Sequence, residues 1–507
     1  MKKAKKYFII ILAFVVVFAA GIAVLKLTEP EKVDDTSSTV SDNTIPLVEK
    51  TIEDITKLTV ENAKGHTLVV NSKYNEETET VFVTVEGINE KIDLVKLDTQ
   101  GILTYGYKLS AIKNIGAQDD LNQYGLKTPA ATVTADFKDG SKFVYDIGTT
   151  NPNGGYYVKV KGNDEVYVAN FAESIFSKPT DLVTLELTSI PTTSADGETQ
   201  AAATCHNLVI GGKNYEQEIK IKLAEETQVH SSHLMTQPTR GEDYFCDSDY
   251  INNIILSVSN IKALSAVNLE PTAEDIETYG LADPAATIEF EVSYTAGEED
   301  DDEYEFGDEV REKHKIIVGD VQEDGLYPIM IDDNPVIFLV SKSVVSRWYD
   351  VEPFTLRSTF ILLPNITKVD EVEVSYNGEK HVFEKPRTFK EKPTANSALL
   401  YDYTVKNTKG EDITYTTFQK YYRALMSVTL LEDTSLDPVG DALFTVKYSY
   451  YDDPVKVDEI SYYEMPDNTR QYIVKVNGSV YGVVRKTDVD ELYKATADIE
   501  NNICELL

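Results

Sequence analysis

The residues best suited to proton transfer or metal binding at neutral pH are six histidines: His66, His206, His230, His233, His314 and His381. Only His230-Ser231-Ser232-His233 forms a close pair. It has neither helix spacing nor a neighbouring run of carboxylates, and zinc takes three or four ligands, so it reads as a loop. Cys205 and His206 are adjacent, but successive strand residues point to opposite faces, which does not make a nucleophile and base. Cys205, Cys246 and Cys504 form an odd, scattered set of three cysteines that matches neither zinc spacing nor a disulfide framework. The run Glu298-Glu299-Asp300-Asp301-Asp302-Glu303 can gather calcium loosely but lacks the alternating ligands and central glycine of an EF-hand loop, so it reads as a solvated charge run. Asp247-Ser248-Asp249 reads as the cap of a helix starting at Tyr250. The chain holds no phosphate loop of the Gly-x-x-x-x-Gly-Lys type and no Gly-x-Ser-x-Gly elbow. No catalytic, metal or cofactor-binding residue is assigned.

Tyrosines offer binding rather than chemistry. Of the 31 in the chain, Tyr156, Tyr157, Tyr167, Tyr327, Tyr472 and Tyr481 lie in hairpin-like segments and are the candidate partner-binding surface. Such rings stack on sugars, although in hairpins their commoner role is cross-strand packing.

The elements that must carry these residues repeat. Tyr124-Gly125-Leu126-Lys127-Thr128-Pro129-Ala130-Ala131-Thr132-Val133 recurs as Tyr279-Gly280-Leu281-Ala282-Asp283-Pro284-Ala285-Ala286-Thr287-Ile288, with a weaker third copy at Leu436-Asp437-Pro438. Each is preceded by apolar residues at helical spacing: Ile102, Tyr105, Leu109 and Ile112; Ile251, Ile255 and Val258; Phe418, Tyr422 and Leu425. Each is followed by a strand and a strand pair around a turn, at Gly162-Asn163-Asp164, Asp332-Asp333-Asn334-Pro335 and Asn477-Gly478. A short helical pattern closes each unit, and Tyr157, Tyr327 and Tyr472 are expected at one shared position. The expected fold is therefore α+β: three tandem repeats of one unit, each a mainly antiparallel β-sheet with about two helices, over residues 51–190, 191–363 and 364–507. The middle unit carries an acidic insertion at 297–312, expected as a loop between strands.

The N-terminus sets the location. Residues 1–6 are a basic start with four lysines, and 7–25 contain no charge. As a helix the uncharged run spans ~28 Å, enough to cross a bilayer with the N-terminus inside and the bulk of the chain extracytoplasmic. Ala19-Ala20-Gly21-Ile22-Ala23 offers small residues for signal cleavage, but the apolar run continues to Leu25, which favours retention. Residues 26–50 are polar and read as a disordered tether. A formal charge of −37 over 507 residues excludes nucleic acid as a partner, because phosphates are repelled.

The Tyr-Gly-Leu-x-x-Pro-Ala-Ala-Thr segment, with Asp139-Gly140, Ile147-Gly148 and the Gly155-Tyr156-Tyr157-Val158 to Val166-Tyr167 hairpin, resembles the bacterial domain-of-unknown-function family numbered 4340. The likeness is specific over 121–182, fair over 276–356 and faint in the third unit. It implies a protein with one membrane segment found beside gliding-motility-type ABC transporters, hence an auxiliary, non-ATPase role, and brings no catalytic residues with it. Three function classes follow. The first is a non-catalytic scaffold with ABC transporter subunits as protein partners, the second a surface module binding cell-wall glycan or an exported protein, and the third a hydrolase of unrecognised site. No cofactor is expected.

Overall fold

The computed structural model describes residues 44–89, 92–192, 203–228, 231–297, 306–390 and 400–505. The acidic run 298–303, His230 and the uncharged segment 7–25 lie outside the described residues. Among the described residues no helix is long and apolar enough to cross a membrane.

Alternating patterns make the strands. Along Ala131–Phe137 every second residue, Ala131, Val133, Ala135 and Phe137, is buried. The first sheet contains β1 (Ile45–Glu49), β2 (Ile55–Asn62), β3 (Thr67–Asn75), β4 (Thr80–Val85), β5 (Lys108–Ala117), β6 (Ala131–Phe137), β7 (Lys142–Thr150), β8 (Tyr156–Val160) and β9 (Glu165–Ala169). Helix α1 (Lys96–Tyr107) joins β4 to β5. The second sheet contains β10 (Thr204–Gly211), β11 (Ile219–Gln228), β12 (Ser231–Gln237), β13 (Tyr244–Phe245), β14 (Ser265–Asn268), β15 (Ala286–Gly297), β16 (Phe306–Val318), β17 (Tyr327–Ile331) and β18 (Ile337–Val340). Its helices are α2 (Ser248–Ser259), α3 (Ala273–Thr278) and α4 (Lys342–Val345). In the third, β19 (Val369–Tyr376) and β20 (Glu379–Glu384) are followed by a separate strand pair, β21 (Arg387–Phe389) with β22 (Tyr401–Tyr403). The sheet continues with β23 (Val405–Lys406), β24 (Asp412–Ile413), β25 (Leu430–Glu432), β26 (Phe444–Tyr450), β27 (Val457–Glu464), β28 (Gln471–Val476) and β29 (Ser479–Arg485), with helices α5 (Tyr415–Met426) and α6 (Lys486–Ile499).

The three sheets run in one order: β5-β9-β8-β7-β6-β2-β3-β4, β14-β18-β17-β16-β15-β10-β11-β12 and β25-β29-β28-β27-β26-β19-β20-β23. In each, a central strand, β6, β15 or β26, pairs antiparallel with an earlier strand of its own sheet, β2, β10 or β19. The architecture is thus mostly antiparallel β with a few helices, as the α+β expectation had it.

The chain forms two compact units. One takes the described residues up to Val83 together with Gln100–Phe176; the other takes Thr84–Thr99 and everything from Ser177 onward. Within the second unit, one cluster of buried apolar side chains runs through both the second and the third sheet. Helix α2 buries Ile251, Ile254, Ile255 and Val258, and its start is held by Asp247, whose carboxylate accepts from the Tyr250 amide at 2.9 Å. Helix α5 buries Phe418, Tyr421, Tyr422 and Leu425, and the Tyr421 hydroxyl meets Thr496 of α6 at 2.8 Å.

Four expectations need correction. Leu109 and Ile112 lie in β5, because α1 ends at Tyr107; a three-four spacing that spans a helix end and a strand imitates one helix. Ile45–Glu49, read as tether, pairs with β5, its apolar Ile45, Leu47 and Val48 being enough for an edge strand. The insertion is not all loop: β15 extends to Gly297 and β16 begins at Phe306, so 306–312 are strand despite their charge, with Glu309 and Arg311 exposed. Finally, Ile147 pairs with Val158, Val318 with Ile329 and Tyr462 with Val474. This register equates Tyr156 with Tyr327 and Tyr472, and sets Tyr157 against Pro328 and Ile473.

Candidate functional site

Charged residues alternate on facing stretches of β15 and β16, as Glu289 and Glu291 on one and Arg311, Lys313 and Lys315 on the other. Cross-strand pairing sets Glu289 opposite Lys315, and Glu291 opposite Lys313. The resulting ladder joins Lys315 to Glu289 at 2.6 Å and Glu291 to Arg311 at 2.5 Å and Lys313 at 3.4 Å. With Asn207 and Val209 of β10 and the Asp332-Asp333 turn, it lines a cleft of about 660 Å³, a size that suits a small polar ligand. At its margin the His314 ring nitrogens meet Asp332 at 2.9 Å and Glu312 at 3.3 Å. The hydrogen bond that the ring donates to the Asp332 carboxylate, opposed by burial and reinforced by Glu312, raises the His314 pKa above its ordinary value. Asp332 is itself fixed, since its other oxygen accepts from the Lys315 amide at 2.7 Å. The site therefore sets an imidazole between two carboxylates.

A second polar group sits at a bulge. The pairing of β10 with β15 slips between Cys205 and Asn207, which leaves His206 as the extra residue and swings its Nε2 to 2.7 Å from Ser293 Oγ. That is the spacing of a nucleophile and a base, but Ser293 is only 8% exposed, which keeps a substrate carbonyl away from it. Cys205 is buried in the core, and burial pushes its thiol up to about 12, so it stays protonated and inert. His233 is buried with Nε2 at 2.9 Å from the Cys205 carbonyl, and burial lowers its pKa. His66 meets the Phe176 carbonyl at 3.2 Å, and His381 meets Glu500 at 2.9 Å. Among the described residues no group of three His, Cys, Asp or Glu side chains is placed to hold a metal ion.

The most elaborate constellation lies inside the second unit, between its two sheets. Arg357, 4% exposed, is held between rings, its guanidinium carbon 3.6 Å from the Tyr244 centroid and 4.8 Å from that of Tyr481. Nη2 donates to the Tyr481 carbonyl at 2.5 Å and Nη1 to Asp433 at 3.1 Å. Asp433 also takes a forked pair of bonds from Arg240, at 2.6 and 2.7 Å. Burial acts to raise the Asp433 carboxyl, but the two arginines outweigh it and hold the group below its ordinary value. Arg240 and Tyr244 belong to the second sheet's side, Asp433 and Tyr481 to the third's, so the cluster is a brace. Nothing in the sequence marks it: Arg240 and Asp433 are 193 residues apart.

The third sheet encloses a cation of its own. Lys385 is wholly buried, its Nζ 4.0 Å from the Tyr403 ring centre and 4.6 Å from that of Tyr451, donating to the Tyr451 hydroxyl at 3.0 Å. Burial, with Arg387 beside it, brings its pKa down to about 7.

The six tyrosines are not brought together. Tyr156 donates to Glu173 at 2.9 Å and packs near Phe171 and Phe176. Tyr157 lies edge-on to Tyr124, and buried Tyr167 donates to Glu165 at 2.7 Å. Tyr327 packs on Tyr349, Tyr472 lies under the Lys486 ammonium, and Tyr481, 1% exposed, belongs to the brace.

The Tyr-Gly-Leu motif is structural as well. Gly125 and Gly280 adopt φ of 66° and 69°, and the turn lays its backbone on a second glycine. A Cβ on Gly148 would stand 2.1 Å from the Tyr124 carbonyl, and one on Gly319 1.9 Å from that of Tyr279. In the third sheet Tyr463 takes this second position, one residue after Tyr462, and the motif is absent.

A family model described as Domain of unknown function (DUF4340) matches residues 103–240 and 237–438. The first matched stretch runs from within α1 to just past β12, and the second from the end of β12 to just past β25. No curated protein and no solved structure matches.

Proposed function

The chain belongs to the family described as domain of unknown function DUF4340, and from that membership we propose that it is a non-catalytic accessory of an ABC-type membrane transport system. In this reading residues 7–25 anchor it as a single-pass helix, 26–43 tether it, and three copies of one sheet unit stand outside the membrane to hold transporter subunits and other exported proteins. The Arg357 brace is the observation that carries the proposal. It joins the second and third sheets over one continuous core, and two copies held at fixed spacing raise the effective concentration of weak contacts at little ordering cost. The shared strand order of the three sheets supports the reading of tandem copies.

Crosslinking in intact cells followed by identification of neighbours tests the proposal. Capture of transporter subunits is expected. If purified protein binds wall glycan while no transporter subunit is captured, the surface-module reading takes its place. The anchor has its own test, since fractionation should leave the intact chain with the membrane; a soluble form beginning near Val24 would mean cleavage.

A further inference from the structure

Among the described residues six strands end the three sheets: β1 and β4, β13 and β14, β24 and β25 by spatial order. A free edge offers unpaired N–H and C=O groups to any passing strand, and proteins blunt such edges by keeping them short or by placing proline or charge on them. Five of the six are blunted. β13 and β24 have two residues each, β25 three and β14 four, while β1 carries Pro46 and a register break beside it. The sixth is not. β4 reads Thr80-Val81-Phe82-Val83-Thr84-Val85, six residues without charge, proline or glycine, every one of a type that favours strands. Phe82 is 63% exposed, and Val81 and Val83 are half-buried.

We propose that β4 is a docking edge that adds a strand from a protein partner, one that alternates apolar residues and carries Lys or Arg at both ends. The proposal rests on the scaffold reading and says where, and by what chemistry, a partner is held. The ends of β4 supply the charge argument: exposed Glu76, Glu77 and Glu79 precede it and exposed Glu86 follows it. Antiparallel pairing with a second copy over Thr80–Val85 sets Glu79 against Glu86 at each end, and parallel pairing stacks each glutamate on itself. Like charges directly opposite destabilise a strand pair. The acidic ends therefore guard the edge against self-association and select a strand with basic ends. Backbone hydrogen bonds supply affinity, and the exposed Phe82 ring adds an apolar contact on one face.

The test uses the purified full-length chain and two labelled peptides, both alternating threonine and valine, one closed at both ends by lysines and the other by glutamates. The lysine peptide is expected to bind at least about tenfold tighter and to slow amide exchange along Thr80–Thr84. Phe82→Lys, at a position exposed enough to leave the fold intact, is expected to lose at least about tenfold of that affinity. Equal binding of both peptides, unchanged binding by the variant, or unprotected β4 amides overturns the proposal. So does β4 protection without peptide in a chain that runs as a dimer, which would assign the edge to a second copy. In cells, retention of transporter crosslinks by Phe82→Lys overturns the docking edge and leaves the scaffold reading standing. Absence of such crosslinks from the unaltered chain, with peptide binding intact, overturns the scaffold reading alone.

Discussion

At the scale of single residues, the buried cations are where charge governs stability. Removing Asp433 leaves the Arg357 guanidinium buried without a counter-charge, so Asp433→Ala should cost about 3–5 kcal/mol in urea unfolding. Arg240→Ala removes a partner that is one-third exposed and should cost less than about 1 kcal/mol. Equal losses would show that Arg357 does not depend on the carboxylate. Lys385 and His314 predict opposite pH responses. The Lys385 pKa, about 7 when folded, lies below its unfolded value, so the unfolded chain binds the extra proton and the penalty is complete below about pH 7. Stability should rise as pH climbs from there toward the unfolded lysine value, and Lys385→Met should abolish that rise and stabilise the protein at neutral pH. The His314 pKa is raised on folding, so its contribution is fully present below the ordinary histidine value and is lost as pH rises through the higher folded one. His314→Gln should remove that fall. Denaturant midpoints measured across pH for both variants separate the two slopes.

At the scale of elements, glycine spacing reports how loops meet strands. Gly148→Ala and Gly319→Ala would drive a methyl into a backbone carbonyl, and each should destabilise its own sheet by roughly 1–3 kcal/mol. Gly101 is exposed on α1 with open space where its Cβ would stand, so Gly101→Ala should instead stabilise by up to about 1 kcal/mol. Thermal unfolding of the three variants checks the contrast, and a neutral Gly148→Ala would refute the structural account of the motif. The hairpins follow the same logic: Asn377-Gly378 and Asn477-Gly478 all take positive φ, the geometry that suits the twist of the flanking strands.

At the scale of the whole molecule, the second and third sheets should unfold as one. Their core is continuous and the brace crosses it, so amides of β11 and β27 should share a single opening free energy in native-state hydrogen exchange. In Asp433→Ala the two sheets should come apart and their exchange free energies diverge. Independent opening in the unaltered chain would mean that the brace couples nothing.

Repeated motifs, tight turns and the stripes of helices such as α2 were legible in the chain because they depend on neighbours a few residues apart. The Tyr-Gly-Leu copies, the Asn-Gly turns, the stripe of α2 and its Asp247 cap are local, and each stands where the sequence put it. Register was less legible. Tyr156, not Tyr157, matches Tyr327 and Tyr472, since two adjacent tyrosines look alike in sequence and only the paired strand distinguishes which faces inward. The end of α1 was misplaced for a similar reason, because Leu109 continues the apolar spacing while the backbone turns to pair with β1 and β9. The brace could not be read at all: Arg240, Arg357 and Asp433 carry no local pattern, and charge in an acidic chain reads as surface until folding brings two sheets together and buries it. Neighbouring residues thus carry the repeated motifs, the turns and the α+β character, whereas the division of the chain into two compact units and the burial of charge depend on contacts between residues far apart in the chain.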